Sequence, residues 1–165
     1  MLDPSKKPPV GYKRMAVGGI APSEQGSAVV LTDDQAKTGL LIFVGGSEAL
    51  SIALRLEHKK YERPLTHDLL DNVVRQLGGD IVSVRVDRLE DNVFYGSLLL
   101  HRDGRLFEID ARPSDALALA IGNSAPVYVA DSVLKQAGID IQKFDMKRLG
   151  DDDKDEPSHG GEVEL

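Results

Sequence analysis

Two segments of the chain share an order of residues that could bind a phosphate group. They read Arg-Pro-Leu-Thr-His-Asp over residues 63–68 and Arg-Pro-Ser-Asp over residues 112–115. In each, arginine and proline precede a hydroxyl residue suited to capping a helix, and an aspartate follows closely. Free N–H groups at a helix start bind anions, and an arginine adds a forked donor for phosphate. If the two helix starts meet in the fold, they form a phosphate site. Its members would be Arg63, Thr66, Arg112 and Ser114.

The same two segments supply candidate catalytic residues. His67 lies beside Asp68, on the polar side of a helix start that we expect to be exposed. A histidine next to a carboxylate can act as a general acid or base, or as a metal ligand. The alternative is that His67 is a solvated surface residue and that Asp68 and Asp115 only complement helix dipoles.

Carboxylates elsewhere in the chain could hold a divalent metal ion. Asp110 ends an otherwise apolar strand and is followed within five residues by Asp115. Carboxylates at a strand end and an adjacent helix start suit Mg²⁺ or Mn²⁺, and Glu48 could join them. The alternatives are that Asp110 bonds to the turn backbone and that Glu48 complements its own helix dipole. None of these spacings is specific for a metal site.

The elements that must position these residues begin with strands. Short apolar runs over residues 15–20, 28–31 and 40–44 are separated by Gly, Pro, Ser and Asp, which predicts three strands. A second block follows, with valines alternating with polar residues over 82–86 and a longer run over 92–102.

A hairpin is predicted at the end of this second block. Asp103-Gly104 is typical of a two-residue hairpin turn. The turn sets Ser97 opposite Asp110 on the next strand. Asp110 then lies on the opposite face of that strand from Phe107 and Ile109.

Four helices are predicted, over residues 48–58, 66–77, 114–121 and 131–137. The second has a single apolar stripe at i, i+1, i+4, i+5 and i+8. The third is apolar all round and should be central and buried. Together with a short strand over 126–130, the pattern predicts an α+β fold with a mixed sheet, three to four helices and one central apolar helix.

Composition indicates one folded domain with a tail at each end. The chain has 165 residues, of which 41% are hydrophobic, enough for a core. We expect a flexible arm over 1–9, a single domain over 10–149 and a disordered acidic tail over 150–165. The net charge of −7 comes mostly from that tail. The folded body is therefore nearly neutral and could bind phosphate at one local site.

The missing residue types exclude several classes of site. The chain contains no cysteine, which rules out disulfides, Cys-ligated metals and cysteine nucleophiles. No run approaches the roughly 18 apolar residues of a membrane span, and residues 1–9 lack the apolar region of a signal peptide. We therefore expect a cytoplasmic protein without membrane contact.

Several motifs, taken in order, resemble those of the bifunctional nuclease family. They are Glu48-Ala49 after Gly45-Gly46, Arg63-Pro64-Leu65-Thr66-His67-Asp68-Leu69-Leu70, Asp91-Asn92-Val93-Phe94-Tyr95, Asp110-Ala111-Arg112-Pro113-Ser114-Asp115-Ala116 and Ala125-Pro126-Val127-Tyr128-Val129. The resemblance covers roughly residues 28–144. It implies a cytoplasmic α+β homodimer with DNase and RNase activity.

Two hypotheses follow for the function. In the first, the protein hydrolyses DNA and RNA with a divalent ion held by Asp110 and Asp115, with Glu48 or Asp68 added. His67 would be the acid or base, and the two arginines would hold phosphate. The lack of a basic stripe and of tryptophan weakens this hypothesis without removing it. In the second, a non-catalytic dimer binds a small anionic ligand or nucleotide and signals to a protein partner.

Overall fold

The structure, a computed structural model, describes residues 7–144 as four helices and one eight-stranded sheet. The strands are β1 (Tyr12–Ser23), β2 (Gly26–Thr32), β3 (Thr38–Val44), β4 (Asp80–Glu90), β5 (Val93–Arg102), β6 (Arg105–Ala111), β7 (Val127–Ala130) and β8 (Ile139–Asp140). The helices are α1 (Gly46–Leu56), α2 (Thr66–Gln76), α3 (Pro113–Asn123) and α4 (Asp131–Ala137). The predicted α+β class is confirmed. The predicted tail and most of the predicted arm lie outside the described residues.

The sheet joins the two predicted blocks of strands through β7. Its strand order is β6-β5-β4-β7-β1-β2-β3-β8. Each block is antiparallel, and β7 lies between them, antiparallel to β1 and parallel to β4. The sequence does not predict β8, because a strand of only two residues shows no periodicity.

The hairpin between β5 and β6 has the predicted turn and register. Asp103 and Gly104 both have positive φ angles, 49° and 73°, as the tight turn that follows the sheet's twist requires. Ser97 pairs with Asp110, as predicted. Every residue of β6 is at least partly exposed, because β6 is an edge strand of the sheet.

The hydroxyl residues of the two Arg-Pro segments do not cap their helices. The residue before the helix is Leu65 for α2 and Arg112 for α3, so Thr66 and Ser114 both lie in the first turn. At α2 the side chain of Asp68 accepts a hydrogen bond from the Leu65 amide at 2.9 Å. At α3 a proline takes the first helical position, where its missing N–H costs nothing.

The apolar helix α3 lies in the core. Residues 116–120 are all buried, and the helix packs on α1, β4 and β5. Its alternating Ala and Leu residues allow close approach to the sheet while filling the space between neighbouring side chains. The first turn of α3, which carries Asp115, is therefore held rigidly at one end of the core.

Helix α2 turns a polar face toward the core and its apolar stripe toward the surface, the reverse of the usual amphipathic helix. Its buried residues are His67 and Asp71, whereas four residues of its apolar stripe are exposed. They are Leu69, Leu70, Val73 and Leu77. The expectation that His67 is exposed is therefore wrong: only 8% of the residue is accessible. The reason is that α1 and α3 present hydrogen-bonding partners to this side of α2.

Within residues 7–144, no helix is both long enough and apolar enough to cross a membrane.

Candidate functional site

The starts of α1, α2 and α3 converge on one hydrogen-bonded group of side chains. We call this group the helix-start cluster; it consists of Glu48, Ser51, His67, Arg112 and Asp115. The contact that joins the two Arg-Pro segments is the one from His67 Nε2 to Asp115 Oδ1, 2.9 Å long. The segments are separated by more than forty residues in the chain and meet because α2 and α3 are packed together.

A chain of hydrogen bonds runs through His67. Ser51 Oγ lies 2.7 Å from Nδ1, and Asp115 Oδ1 lies 2.9 Å from Nε2. A carboxylate can only accept, so Nε2 carries a hydrogen, and in the neutral ring Nδ1 accepts the Ser51 hydroxyl proton. The order serine, histidine, aspartate resembles that of a hydrolase triad. Ser51 is only 5% exposed, however, so we assign it the role of orienting the His67 ring.

Arg112 closes the cluster at the surface. Its Nε donates to Asp115 Oδ2 at 2.8 Å, and its Nη2 donates to Glu48 Oε1 at 3.0 Å. The Arg112 side chain is 65% exposed, which makes it the most accessible charged group of the cluster. Glu48 reaches this position by folding over the start of α1, where a Cβ on Gly45 would come within 2.6 Å of its Oε2. A side chain at position 45 would displace Glu48.

The charges of the cluster stabilise one another. Burial alone would raise the pKa of Asp115, but hydrogen bonds from Arg112 and His67 outweigh it and hold that pKa below its ordinary value. The pKa of Glu48 is lowered by its own backbone amide first, then by Ser47 and Arg112. The same carboxylates raise the pKa of Arg112. Both acids are therefore ionised at neutral pH.

A second polar network lies one turn farther along α1. Arg55, whose side chain is 8% exposed, binds Asp71 at 2.7 Å, Asp68 at 2.9 Å and the Ala118 carbonyl at 3.0 Å. Asn123 completes it by donating to Asp71 at 2.7 Å. Asp68, predicted as catalytic, thus belongs to this network and to the cap of α2.

The remaining predicted site residues take no part in the helix-start cluster. Arg63 and Thr66 are exposed and form no hydrogen bond or ion pair with the described residues. Ser114 is buried in the first turn of α3. Asp110 is exposed on β6, opposite Ser97, and makes no hydrogen bond or ion pair to Asp115 or Glu48.

The predicted metal ligands, as placed, do not fit a metal ion. Within residues 7–144, no three His, Asp or Glu side chains are arranged to hold one. The Arg112 guanidinium occupies the position between Glu48 and Asp115, where it satisfies both carboxylates. We therefore derive no chemical step through Mg²⁺ or Mn²⁺, whose involvement stays a prediction.

The sequence analysis missed Ser51, Arg55 and Asp71. A signal for them exists in the spacing: Glu48, Ser51 and Arg55 follow one face of α1 at i, i+3 and i+7. His67 and Asp71 follow one face of α2 at i and i+4. Two polar stripes on neighbouring helices can face each other, but only if the helices pack with those faces together.

The cluster lies within a region with known relatives. A family model described as "Bifunctional nuclease domain" matches residues 29–142, which confirms the predicted resemblance. The chain is also similar to two uncharacterized proteins of Mycobacterium tuberculosis, from strains CDC 1551 and H37Rv, each 40% identical over 100 residues. The alignment covers 61% of this chain and 59% of each relative, so the chain spans well under two thirds of the curated relatives it matches.

Proposed function

Because the chain belongs to the bifunctional nuclease domain family, we propose that it is a cytoplasmic nuclease that hydrolyses phosphodiester bonds in DNA and RNA. The observation that supports this most is the contact between the two Arg-Pro helix starts, through His67 and Asp115. It brings a forked cationic donor, two carboxylates and a histidine to one surface position, and these groups suit hydrolysis of a phosphate ester.

Arg112 is the phosphate-binding group of the proposal. It is exposed, it lies at the start of a helix, and its guanidinium can bind two phosphate oxygens at once. In the transition state the phosphate gains charge, which the guanidinium of Arg112 stabilises once it is bound to the phosphate. Arg63, the corresponding residue of the other segment, is exposed and forms no hydrogen bond or ion pair with the described residues.

The His67–Asp115 pair is the proton acceptor of the proposal. In the free protein Arg112 donates a hydrogen bond to Asp115 Oδ2 and thereby keeps the pKa of Asp115 low. When Arg112 turns to a bound phosphate, Oδ2 loses this donor and becomes both more basic and free to accept a proton from water. His67 meanwhile holds Oδ1, so that the other oxygen faces the water. Substrate binding would thus generate the base that the reaction needs.

We also propose that two copies of the chain form a homodimer. Val74 of α2 and Leu100 of β5 both lie within 3.4 Å of a Cβ built on Gly79, and Leu100 pairs with Phe107 of β6. The end of α2 therefore lies close to Leu100, the neighbour of Phe107, and we infer that the exposed stripe of α2 and the apolar face of β6 form one surface. We call this region the α2–β6 apolar surface; it consists of Leu69, Leu70, Val73, Leu77, Phe107 and Ile109. A contiguous apolar surface beside a sheet edge is typical of an interface, and two-fold pairing of identical surfaces is the commonest arrangement.

The proposal is tested by cleavage of plasmid DNA and an unstructured RNA with purified protein. We expect Arg112→Gln and Asp115→Asn each to lower the rate by about 100-fold or more, as loss of a transition-state contact does. His67→Ala should lower it comparably. The matched control is Arg102→Gln, which removes an exposed arginine of the β5–β6 turn and should leave the rate unchanged.

The same assay with Mg²⁺, Mn²⁺ or EDTA measures the predicted need for a metal. If an Asp110→Ala variant keeps full activity, Asp110 is not part of the active site. If folded Arg112→Gln and His67→Ala proteins cut as fast as the original chain, the helix-start cluster is not the active site. If the original chain cuts neither substrate, the second hypothesis, an anion-binding module without catalysis, replaces the first.

A further inference from the structure

A cavity of about 420 Å³ lies beside the helix-start cluster and has no part in the mechanism above. Its walls come from the end of α1, the segment after it, α2 and the end of α3. None of the five cluster residues lines it. Its volume lies within the range of about 300–1,000 Å³ usual for small-molecule sites.

The floor of the cavity carries hydrogen-bond acceptors. Arg55 binds two carboxylates, so the group of Arg55, Asp68 and Asp71 has one negative charge more than it has positive. Asp68 is 37% exposed, and each of its oxygens accepts one bond, from Arg55 and from the Leu65 amide. A carboxylate has about four acceptor positions, so one is left on each oxygen.

The part of the wall that adjoins this floor has no side chain. A Cβ on Gly122 would overlap the guanidinium of Arg55, which is fixed by three partners and cannot swing away. The Nε of Arg55 is buried and has no hydrogen-bond partner among the described residues. This Nε is shielded from solvent, so the groups that the cavity offers to a ligand are the unused acceptor positions of Asp68.

The rim of the cavity is mainly basic, with Glu62 as the one exposed carboxylate among the described residues of its lining, and it carries an aromatic ring. Lys60 and Arg75 are exposed, and neither has an ion-pair partner within residues 7–144. Tyr61 lies beside Lys60 and is 54% exposed. An acceptor-rich floor beneath a basic rim complements a ligand with N–H donors at one end and a phosphate at the other. A nucleotide has that distribution, and its base can stack on a tyrosine.

We propose that this cavity binds one nucleotide of the substrate strand, with a guanine base on Asp68, its ring against Tyr61 and its phosphate on Lys60 and Arg75. Guanine is the base that presents two adjacent N–H donors, N1–H and the 2-amino group, and these match the two free acceptor positions of one carboxylate. This inference rests on the proposed nuclease function for the identity of the strand.

The position of the cavity suits a nucleotide next to the cleaved bond. Ser51 belongs to the helix-start cluster and Arg55 to the cavity, and they are four residues apart on α1, about 6 Å along the helix. That length is comparable to one nucleotide of an extended strand. In the same way, His67 belongs to the helix-start cluster, and Asp68, the next residue of α2, lines the cavity.

The first test is calorimetric binding of guanosine and uridine 5′-monophosphates to the full chain; neither contains a phosphodiester bond that the proposed activity could cut. We expect guanosine monophosphate to bind about tenfold more tightly or better. Tyr61→Ala and Lys60→Ala, both surface changes that spare the fold, should each weaken it about tenfold. Asp68→Asn should abolish the preference for guanosine. Lys135→Ala, an exposed lysine outside the cavity lining, is the control and should bind normally.

The second test maps cleavage of an RNA containing single guanosines, which should be cut next to them. Equal binding of the two nucleotides, or binding that Tyr61→Ala and Lys60→Ala leave unchanged, would overturn the cavity proposal. Cleavage without any preference for guanosine would overturn it while leaving the nuclease function intact. Tight binding of guanosine monophosphate by a chain that cuts neither DNA nor RNA would overturn the nuclease function and leave the nucleotide-binding cavity intact.

Discussion

A few carboxylates in this protein each accept hydrogen bonds from several donors, and their protonation should change the stability of the protein. Asp33, between β2 and β3, is the clearest case: it accepts from Lys13 Nζ at 2.7 Å and from the amides of Lys37 and Thr38. The Lys13 bond is the largest cause that lowers the pKa of Asp33, from 3.8 to about 2. The ionised carboxylate therefore stabilises the turn between the two strands.

We predict that Asp33→Asn lowers the free energy of unfolding at pH 7 by about 1–3 kcal/mol, the usual value of a charged hydrogen bond. Because the folded pKa is depressed, this stabilisation is present above pH 3.8 and is lost as the pH falls toward 2. The difference between the two proteins should therefore shrink between pH 4 and pH 2, measured by urea unfolding. Asp34→Asn, at the exposed neighbouring position, is the control. A difference that stays constant with pH would contradict the assignment.

At the scale of elements, α2 is the helix whose packing departs from its pattern. Its regular apolar stripe predicts a helix, and the helix is there. A stripe of this kind normally faces the core, yet the polar residues His67 and Asp71 do so instead. Such packing is stable only because Ser51, Arg55 and Asp115 satisfy the buried polar atoms. The exposed apolar stripe is then left for a partner.

We predict that Leu70→Glu combined with Leu77→Glu converts the proposed dimer to a monomer without unfolding the chain. Both side chains are exposed within the α2–β6 apolar surface, so the change opposes association and removes no core contact. Light scattering after size-exclusion chromatography gives the mass, and circular dichroism checks the fold. Leu50→Glu, an equally exposed leucine on α1, should leave the dimer unchanged. A monomeric original chain, or a variant that remains dimeric, would exclude this surface as the interface.

At the scale of the whole molecule, β7 connects two halves that would otherwise be separate antiparallel sheets. All four of its residues are buried, and it pairs with β1 on one side and β4 on the other. The helix-start cluster draws on both halves, since α1 follows β3 and α3 follows β6. The geometry of the site therefore depends on the complete sheet.

We predict that amide hydrogen exchange is slowest in β7 and in the part of β4 paired with it, and fastest in the edge strand β8 and, in a monomer, also in the edge strand β6. Buried, doubly paired strands open only with the whole domain, whereas edge strands open locally. The measurement compares the original chain with the Leu70→Glu, Leu77→Glu variant. The amides of β6 should exchange more slowly in the original chain than in the variant, because the second copy of the proposed dimer covers this strand. Exchange in β6 as slow as in β7 in a proven monomer would contradict this order of stability.

The amino-acid sequence by itself determined the features that depend on neighbouring residues. The four helices, the turn at Asp103-Gly104, the Ser97–Asp110 register and the α+β class follow from short-range periodicity and turn chemistry. Only the tertiary structure decided which distant groups meet. Packing of α2 against α1 and α3 joined His67 to Ser51 and Asp115, left Arg63 and Asp110 outside, and turned the apolar stripe of α2 outward. The physical reason is that a periodic pattern defines the faces of a helix, whereas its partners are set by the lowest free energy of the whole chain.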